Sequence, residues 1–152
     1  MHPNIVILEG CDGTGKTTYA NAYMKDRPWV KYIHFGRPEN GENPFEKYME
    51  LLNSVGPGDT VIVDRFHWSS YVYSLVKRRK MDMGILQFRK IDKKLMTMVH
   101  KIVLFDSTVP KIKQRFKIRG EDYVMPLEIP IILQLYRGLY NKSKLNKSTI
   151  KT

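Results

Sequence analysis

Gly10-Cys11-Asp12-Gly13-Thr14-Gly15-Lys16-Thr17 fits the spacing G-x-x-x-x-G-K-[ST] without a mismatch. The residue types explain the chemistry. Glycines permit positive φ and let the backbone approach an anion. Successive N–H groups then form a concave nest for phosphate oxygens, and a helix starting at the lysine adds its positive N-terminal end. Gly13, Thr14, Gly15, Lys16 and Thr17, with Thr18 next in the chain, are the candidate phosphate-holding residues. Lys16 reaches the β- and γ-phosphates, and the Thr17 hydroxyl is aimed at Mg²⁺. Cys11 inside the loop reads as a small tolerated side chain; its alternative is a thiol acidified by the nearby amides.

A second cluster begins at Asp64-Arg65-Phe66-His67-Trp68-Ser69-Ser70-Tyr71-Val72-Tyr73, directly after the β-branched run ending at Val63. A carboxylate at a strand tip can hold Mg²⁺ or its water. Arg65 beside it suits bidentate contact with an acceptor phosphate. A helix from Ser69 onward brings Ser69, Ser70 and Tyr73 to one side of its first turn.

These residues need a scaffold, and the pattern alternates strand and helix. Asn4–Leu8, Trp29–Phe35, Thr60–Val63 and Lys101–Phe105 read as strands from short apolar, β-branched or aromatic runs bounded by Gly, Pro or Asp. Lys16–Asp26, Pro44–Leu52, Ser69–Val76, Ile85–Met98, Pro110–Ile118 and Ile129–Leu139 read as helices. Alternation in one short domain predicts an α/β fold, with a parallel sheet of four or five strands and helices on both faces. Ligands in such sheets bind at the carboxyl ends of the strands, where both clusters fall. The stripe Phe88, Ile91, Leu95, Met98 reads as core, and His67 and Trp68 as packing residues.

Composition limits what surrounds this site. The 152 residues make one domain, 42% apolar and 27% charged. Ile5–Leu8 and Ile102–Phe105 are the longest apolar runs, far short of the ~20 residues that a membrane helix needs. One cysteine and no basic–apolar leader lead to the expectation of a cytoplasmic protein. The net charge is +11, and it is uneven: residues 1–50 carry −1, residues 51–100 carry +5 and residues 101–152 carry +7. Such a field attracts phosphates, free or polymeric. The lysine-rich end, residues 142–152, reads as a loosely held, mobile tail.

Ile7-Leu8-Glu9-Gly10 leading into Asp12-Gly13-Thr14-Gly15-Lys16-Thr17-Thr18 resembles the opening of thymidylate kinases. Asp64-Arg65-Phe66 with Ser69-Ser70 and Tyr73 is similar to that family's D-R-[YF]-x-x-S-S-x-x-Y segment. Gly36-Arg37-Pro38-Glu39-Asn40-Gly41 echoes its T-R-E-P-G-G loop, and Arg115-x-x-x-Arg119-Gly120 its arginine-bearing lid, here about residues 111–125. The spacing of His34-Phe35-Gly36, Asp64-Arg65-Phe66-His67 and Arg119-Gly120-Glu121-Asp122 also resembles short members encoded by bacterial viruses, and the whole resemblance covers roughly residues 4–140. The resemblance implies a three-layer P-loop kinase fold, ATP and Mg²⁺ as cofactors, and phosphoryl transfer to a nucleotide. It implies Thr17 and Asp64 as metal-holding residues, and Asp12 at the acceptor's sugar hydroxyl. Arg37 and Arg65 would hold the acceptor's phosphate, with Phe66, Ser69, Ser70 and Tyr73 along its nucleoside. Arg115 and Arg119 would act with Lys16, Asp64 and Arg65 on the transferring group.

The chain also departs from that pattern. About two dozen residues separate the second and third strands, room for one helix where the family has two and its base clamp. Ser74 stands where glutamine is common, and the adenine loop is scarcely present. The leading expectation is a cytoplasmic thymidylate-type deoxynucleoside monophosphate kinase, in the host's cytoplasm if the protein is viral. The alternatives are a kinase acting on 5-hydroxymethyluracil bases within DNA, and a non-catalytic nucleotide-binding regulator. Nucleotides are the expected partners, with nucleic acid suited by the charge, a homodimer common in the family, and no membrane.

Overall fold

The computed structural model describes residues 4–36, 42–77, 83–120 and 123–152. Five parallel strands, β1 (Ile5–Gly10), β2 (Lys31–His34), β3 (Val61–Asp64), β4 (His100–Asp106) and β5 (Lys147–Lys151), lie in the order β2-β3-β1-β4-β5. The helices are α1 (Lys16–Met24), α2 (Phe45–Ser54), α3 (His67–Val76), α4 (Ile85–Met96), α5 (Val109–Arg119) and α6 (Ile129–Lys142). The turn at Pro126–Glu128 is a 3₁₀ helix leading into α6.

Side chains alternate across a strand, and here both sets are buried. Val6, Leu8, Ile62, Val103 and Phe105 pack under Ala20, Tyr19 and Tyr23 of α1. Ile5, Ile7, Val61, Val63, Ile102 and Leu104 form the other face, under buried residues of α2 to α6. Burial on both faces is why β1 and β3 read as unbroken apolar runs.

The fold is the doubly covered parallel sheet expected, with the five-strand alternative realised. Residues 147–151, read as part of a loose tail, are a paired strand: Ile102 to Asp106 of β4 register with Lys147 to Lys151. Leu145 is buried in the core, Ile150 packs beneath α1, and the Thr152 amide donates to the Asp106 carbonyl at 2.8 Å. Three residues of β character between lysines suffice because an existing strand edge supplies their hydrogen bonds.

No helix among the described residues is long and apolar enough to cross a membrane.

Candidate phosphoryl-transfer site

β1 and β3 end side by side, with Leu8 registered against Asp64, and the glycine loop and the head of the second cluster, Asp64-Arg65, open into one hollow of about 780 Å³. Residues 12–18, Asp64, Arg65, Arg115 and Arg119 line it, together with His34 and Thr152.

The loop from Gly10 to Thr17 is built as its glycines require. Gly10 has φ +143°, and a Cβ there would lie 2.5 Å from the Phe105 carbonyl oxygen on β4. Gly13 has φ +77° and sits against the Phe116 ring, where a Cβ would come within 3.3 Å. Thr14 Oγ1 donates to the Cys11 carbonyl at 2.6 Å. Lys16 Nζ donates to the carbonyls of Gly10 and Cys11, each at 2.9 Å. Burial pushes this ammonium below its ordinary pKa, and the negative field of Asp64 opposes the shift.

Asp64 is buried at the tip of β3. Its Oδ2 accepts the Tyr32 hydroxyl at 2.7 Å and lies 3.3 Å from His34 Nδ1. Its Oδ1 is buried with no hydrogen-bond partner among the described residues. Burial and the bond to Asp64 push the Tyr32 hydroxyl up to about 12, so it remains a donor. Tyr32 and His34 were missed in the sequence; β2 pairing beside β3 puts His34 opposite Asp64.

Arg65 is the one non-glycine residue with positive φ, +71°, among those described. Its amide donates to the Leu8 carbonyl at 2.9 Å, its guanidinium pairs with Asp12, and its Cζ lies 5.4 Å from the centre of the Tyr73 ring. Arg115 Nη1 donates to the Gly13 carbonyl at 2.8 Å and to Thr152 Oγ1 at 3.2 Å, tying α5 to the loop and to the end of β5. Arg119 reaches the same loop from the next turn of α5.

Phe66, Ser69, Ser70 and Tyr73, expected along the acceptor nucleoside, do not line this hollow. Helix α3 begins at His67, two residues earlier than the pattern suggested, and this turns the segment inward. Phe66 is fully buried beside Tyr48 and Phe35, with centroid distances of 4.4 and 5.9 Å. Ser69 is bound to Glu9 and Tyr136. Ser70 borders a separate apolar hollow of about 200 Å³ with Tyr71, Met83 and Phe88. Tyr73 lies beneath Arg65. Arg37 lies outside the described residues, as do residues 121–122 of the expected lid.

The chain is 33% identical over 147 residues to the SPbeta prophage-derived protein YorR of Bacillus subtilis, spanning 93% of this chain and 85% of that one. A crystal structure of YorR in complex with phosphorylated GDP superposes with a TM-score of 0.79 at 28% identity, over 97% of this chain and 85% of that chain. A putative thymidylate kinase of Acidianus bottle-shaped virus is 31% identical over 77 residues, 49% of each chain. Thymidylate kinase from Candida albicans shares the fold, with a TM-score of 0.64 at 16% identity over 98% of this chain and 84% of that one. No protein-family model matches. With the glycine-rich loop, the strand-tip carboxylate and the sheet order in place, the chain belongs to the family of the prophage-derived protein YorR, and its fold is that of the thymidylate kinase-like P-loop kinases.

Proposed function

We propose that this protein is an ATP-dependent kinase that transfers the γ-phosphoryl group to a deoxypyrimidine nucleotide, with a deoxynucleoside monophosphate as the leading acceptor. The observation that carries the reading is the meeting of Lys16, Asp64, Arg65 and Arg119 around one hollow. Phosphoryl transfer needs alignment and charge neutralisation more than a nucleophilic side chain. The loop amides and Lys16 would grip the donor's phosphates. Arg65, already aimed across the mouth, would exchange its Asp12 partner for the acceptor's phosphate. Arg119 would lean over the transferring group.

The residues present fit a magnesium ion. Asp64 Oδ1 is a buried carboxylate oxygen with no hydrogen-bond partner among the described residues, and the exposed Thr17, in the first turn of α1, lines the same hollow. No cluster of three or more His, Cys, Asp or Glu that could hold a metal occurs among the described residues. This suits an ion that takes one carboxylate and the donor's phosphates. Bound there, Mg²⁺ would neutralise negative charge on the donor's phosphates. Tyr32 and His34 contact Oδ2, and neither bonds to Oδ1.

The complex of YorR with phosphorylated GDP supports a nucleotide polyphosphate in this hollow and puts guanine donors beside ATP in any test. The deciding experiment offers Mg²⁺ with ATP or GTP and a panel of dTMP, dUMP, dCMP and 5-hydroxymethyl-dUMP. ADP or GDP release stimulated by one acceptor is expected. No stimulation by any of them removes the monophosphate reading.

A second reading, 5-hydroxymethyluracil within DNA as acceptor, is favoured by α5. That helix carries Lys111, Lys113, Arg115, Lys117 and Arg119, has no acidic residue, and borders the hollow. DNA affinity should then fall with salt at a slope near −0.9 per neutralised phosphate, and label from ATP should appear on modified duplex.

A further inference from the structure

Glu9 is fully buried at the end of β1, immediately before the phosphate-binding loop, and the transfer chemistry above does not use it. Its Oε1 accepts the Phe66 amide at 3.1 Å and the Ser69 hydroxyl at 2.5 Å, and its Oε2 accepts the Ser69 amide at 3.1 Å. These amides belong to the start of α3, where helix geometry leaves N–H groups unpaired. Phe66, the N-cap residue, supplies no side-chain cap, because its ring is committed to the core. The Ser69 proton goes to the carboxylate, so the Tyr136 hydroxyl of α6, 2.7 Å away, donates to Ser69 Oγ.

The neighbouring bond completes the arrangement. The Leu8 carbonyl takes the Arg65 amide at 2.9 Å, so consecutive residues of β1 hold consecutive amides of the β3–α3 turn. Arg65 lies between these two clamps with φ +71°. Such a conformation persists in a non-glycine residue only where its surroundings over-determine it. One carboxylate thus couples the strand that launches the phosphate loop to the turn that carries the acceptor arginine.

We propose that Glu9 is a positioning residue: it caps α3 from the neighbouring strand and so holds the turn that aims Arg65 into the phosphate hollow. This rests on the kinase reading for its kinetic consequence, and on geometry alone for its structural one. A carboxylate suits the task because both oxygens only accept. Glutamine keeps the shape but sets an NH₂ group against an amide donor.

The test compares wild type, Glu9→Gln, Arg65→Ala and the double variant, using the acceptor found in the screen above. KM for the acceptor should rise about tenfold in Glu9→Gln, while KM for ATP stays within about twofold. The double variant should be little worse than Arg65→Ala, because residues acting as a unit are not additive. Equal losses toward ATP and acceptor, or additive effects in the cycle, overturn the proposal. NMR of the Arg65 side-chain N–H and of the Phe66 and Ser69 amides needs no acceptor. Shifted Arg65 signals and faster amide exchange in Glu9→Gln support it, and an unchanged Arg65 signal overturns it even if no acceptor is ever turned over. If Glu9→Gln does not fold, Ser69→Ala removes one of the three donors and should give the same signature at smaller size; an unmoved Arg65 signal there overturns the proposal.

Discussion

The Arg65 guanidinium closes an ion pair on the Asp12 carboxylate across the tips of β3 and β1. Both side chains are about nine-tenths buried. The guanidinium that would take an acceptor phosphate is thus held by an anion of the protein itself. Removing one partner of a buried pair leaves the other uncompensated, at a cost of roughly 3–5 kcal/mol. Asp12→Ala should therefore lose about that much stability, and inorganic phosphate should restore more stability to the variant than to wild type. Thermal melts with and without phosphate check this; equal phosphate responses would contradict the pairing.

The backbone at Arg65 separates conformational from chemical effects. Left-handed geometry costs a residue with a Cβ roughly 1–2 kcal/mol, and glycine almost nothing. Arg65→Gly should be more stable than Arg65→Ala by about 1 kcal/mol, while both lose acceptor use alike. Urea unfolding of the two variants measures the difference, which should vanish if the turn relaxes to negative φ.

Arg115 and Arg119 were expected to act as a pair, and the structure divides them. Arg115 donates to Gly13, Thr152 and, at 3.5 Å, Ser107, so it braces the loop from beneath. Hydrogen bonds from a charged group contribute about 1.5–3 kcal/mol, so Arg115→Ala should destabilise by an amount of that order. Arg119 is exposed on α5, so Arg119→Ala should leave the melting temperature nearly unchanged and lower kcat at least ~10³-fold, the lower end for an arginine on a transferring phosphoryl group. Melting and kinetics on the same two proteins test the division, and a reversal of the two phenotypes would refute it.

How much of this was readable beforehand follows from where each signal resides. The course of the glycine loop was legible because positive φ and close approach at Gly10 and Gly13 call for glycine, and the loop adjoins both its strand and its helix. The place of Asp64 and Arg65 at a strand tip beside that loop was legible because the β-branched run of β3 stops at Val63 and parallel sheets open at their carboxyl ends. Tyr32 and His34 were not, because their role depends on which strand pairs beside β3. The inward turn of Phe66 and Ser69 was hidden for a similar reason. It follows from α3 starting at His67 under the control of Glu9, a contact that spans 57 and 60 residues of sequence. The fifth strand was obscured by its lysines, whose solvated charges masked a segment that needed only a neighbouring edge.

Glu9 also predicts a pH dependence. Burial raises its pKa above the ordinary 4.5, against the lowering effects of Ser69, His67 and the amides of Phe66 and Ser69. The titratable groups acting on it are His67 of α3, Lys16 of α1 and Tyr136 of α6. A carboxyl with a raised folded pKa binds its proton more tightly in the native state, so its contribution to stability is complete below 4.5 and is lost as pH rises through the folded value. Wild type should therefore lose stability relative to Glu9→Gln on going from pH 4 toward neutrality. Denaturant titrations of both proteins across that range check the sign, since the other groups are common to both.

The central claim is that one hollow aligns a nucleotide's terminal phosphoryl group with an acceptor held by Arg65. Its most direct measurement follows the γ-label of Mg²⁺-ATP onto free deoxynucleoside monophosphates and onto hydroxymethyluracil-containing DNA, using wild type, Lys16→Ala and Arg65→Ala. Wild type should label one acceptor class, Lys16→Ala should lose use of ATP, and Arg65→Ala should still bind ATP while losing transfer. Undiminished labelling in Arg65→Ala, or wild type that binds ATP yet labels no acceptor, would contradict the account.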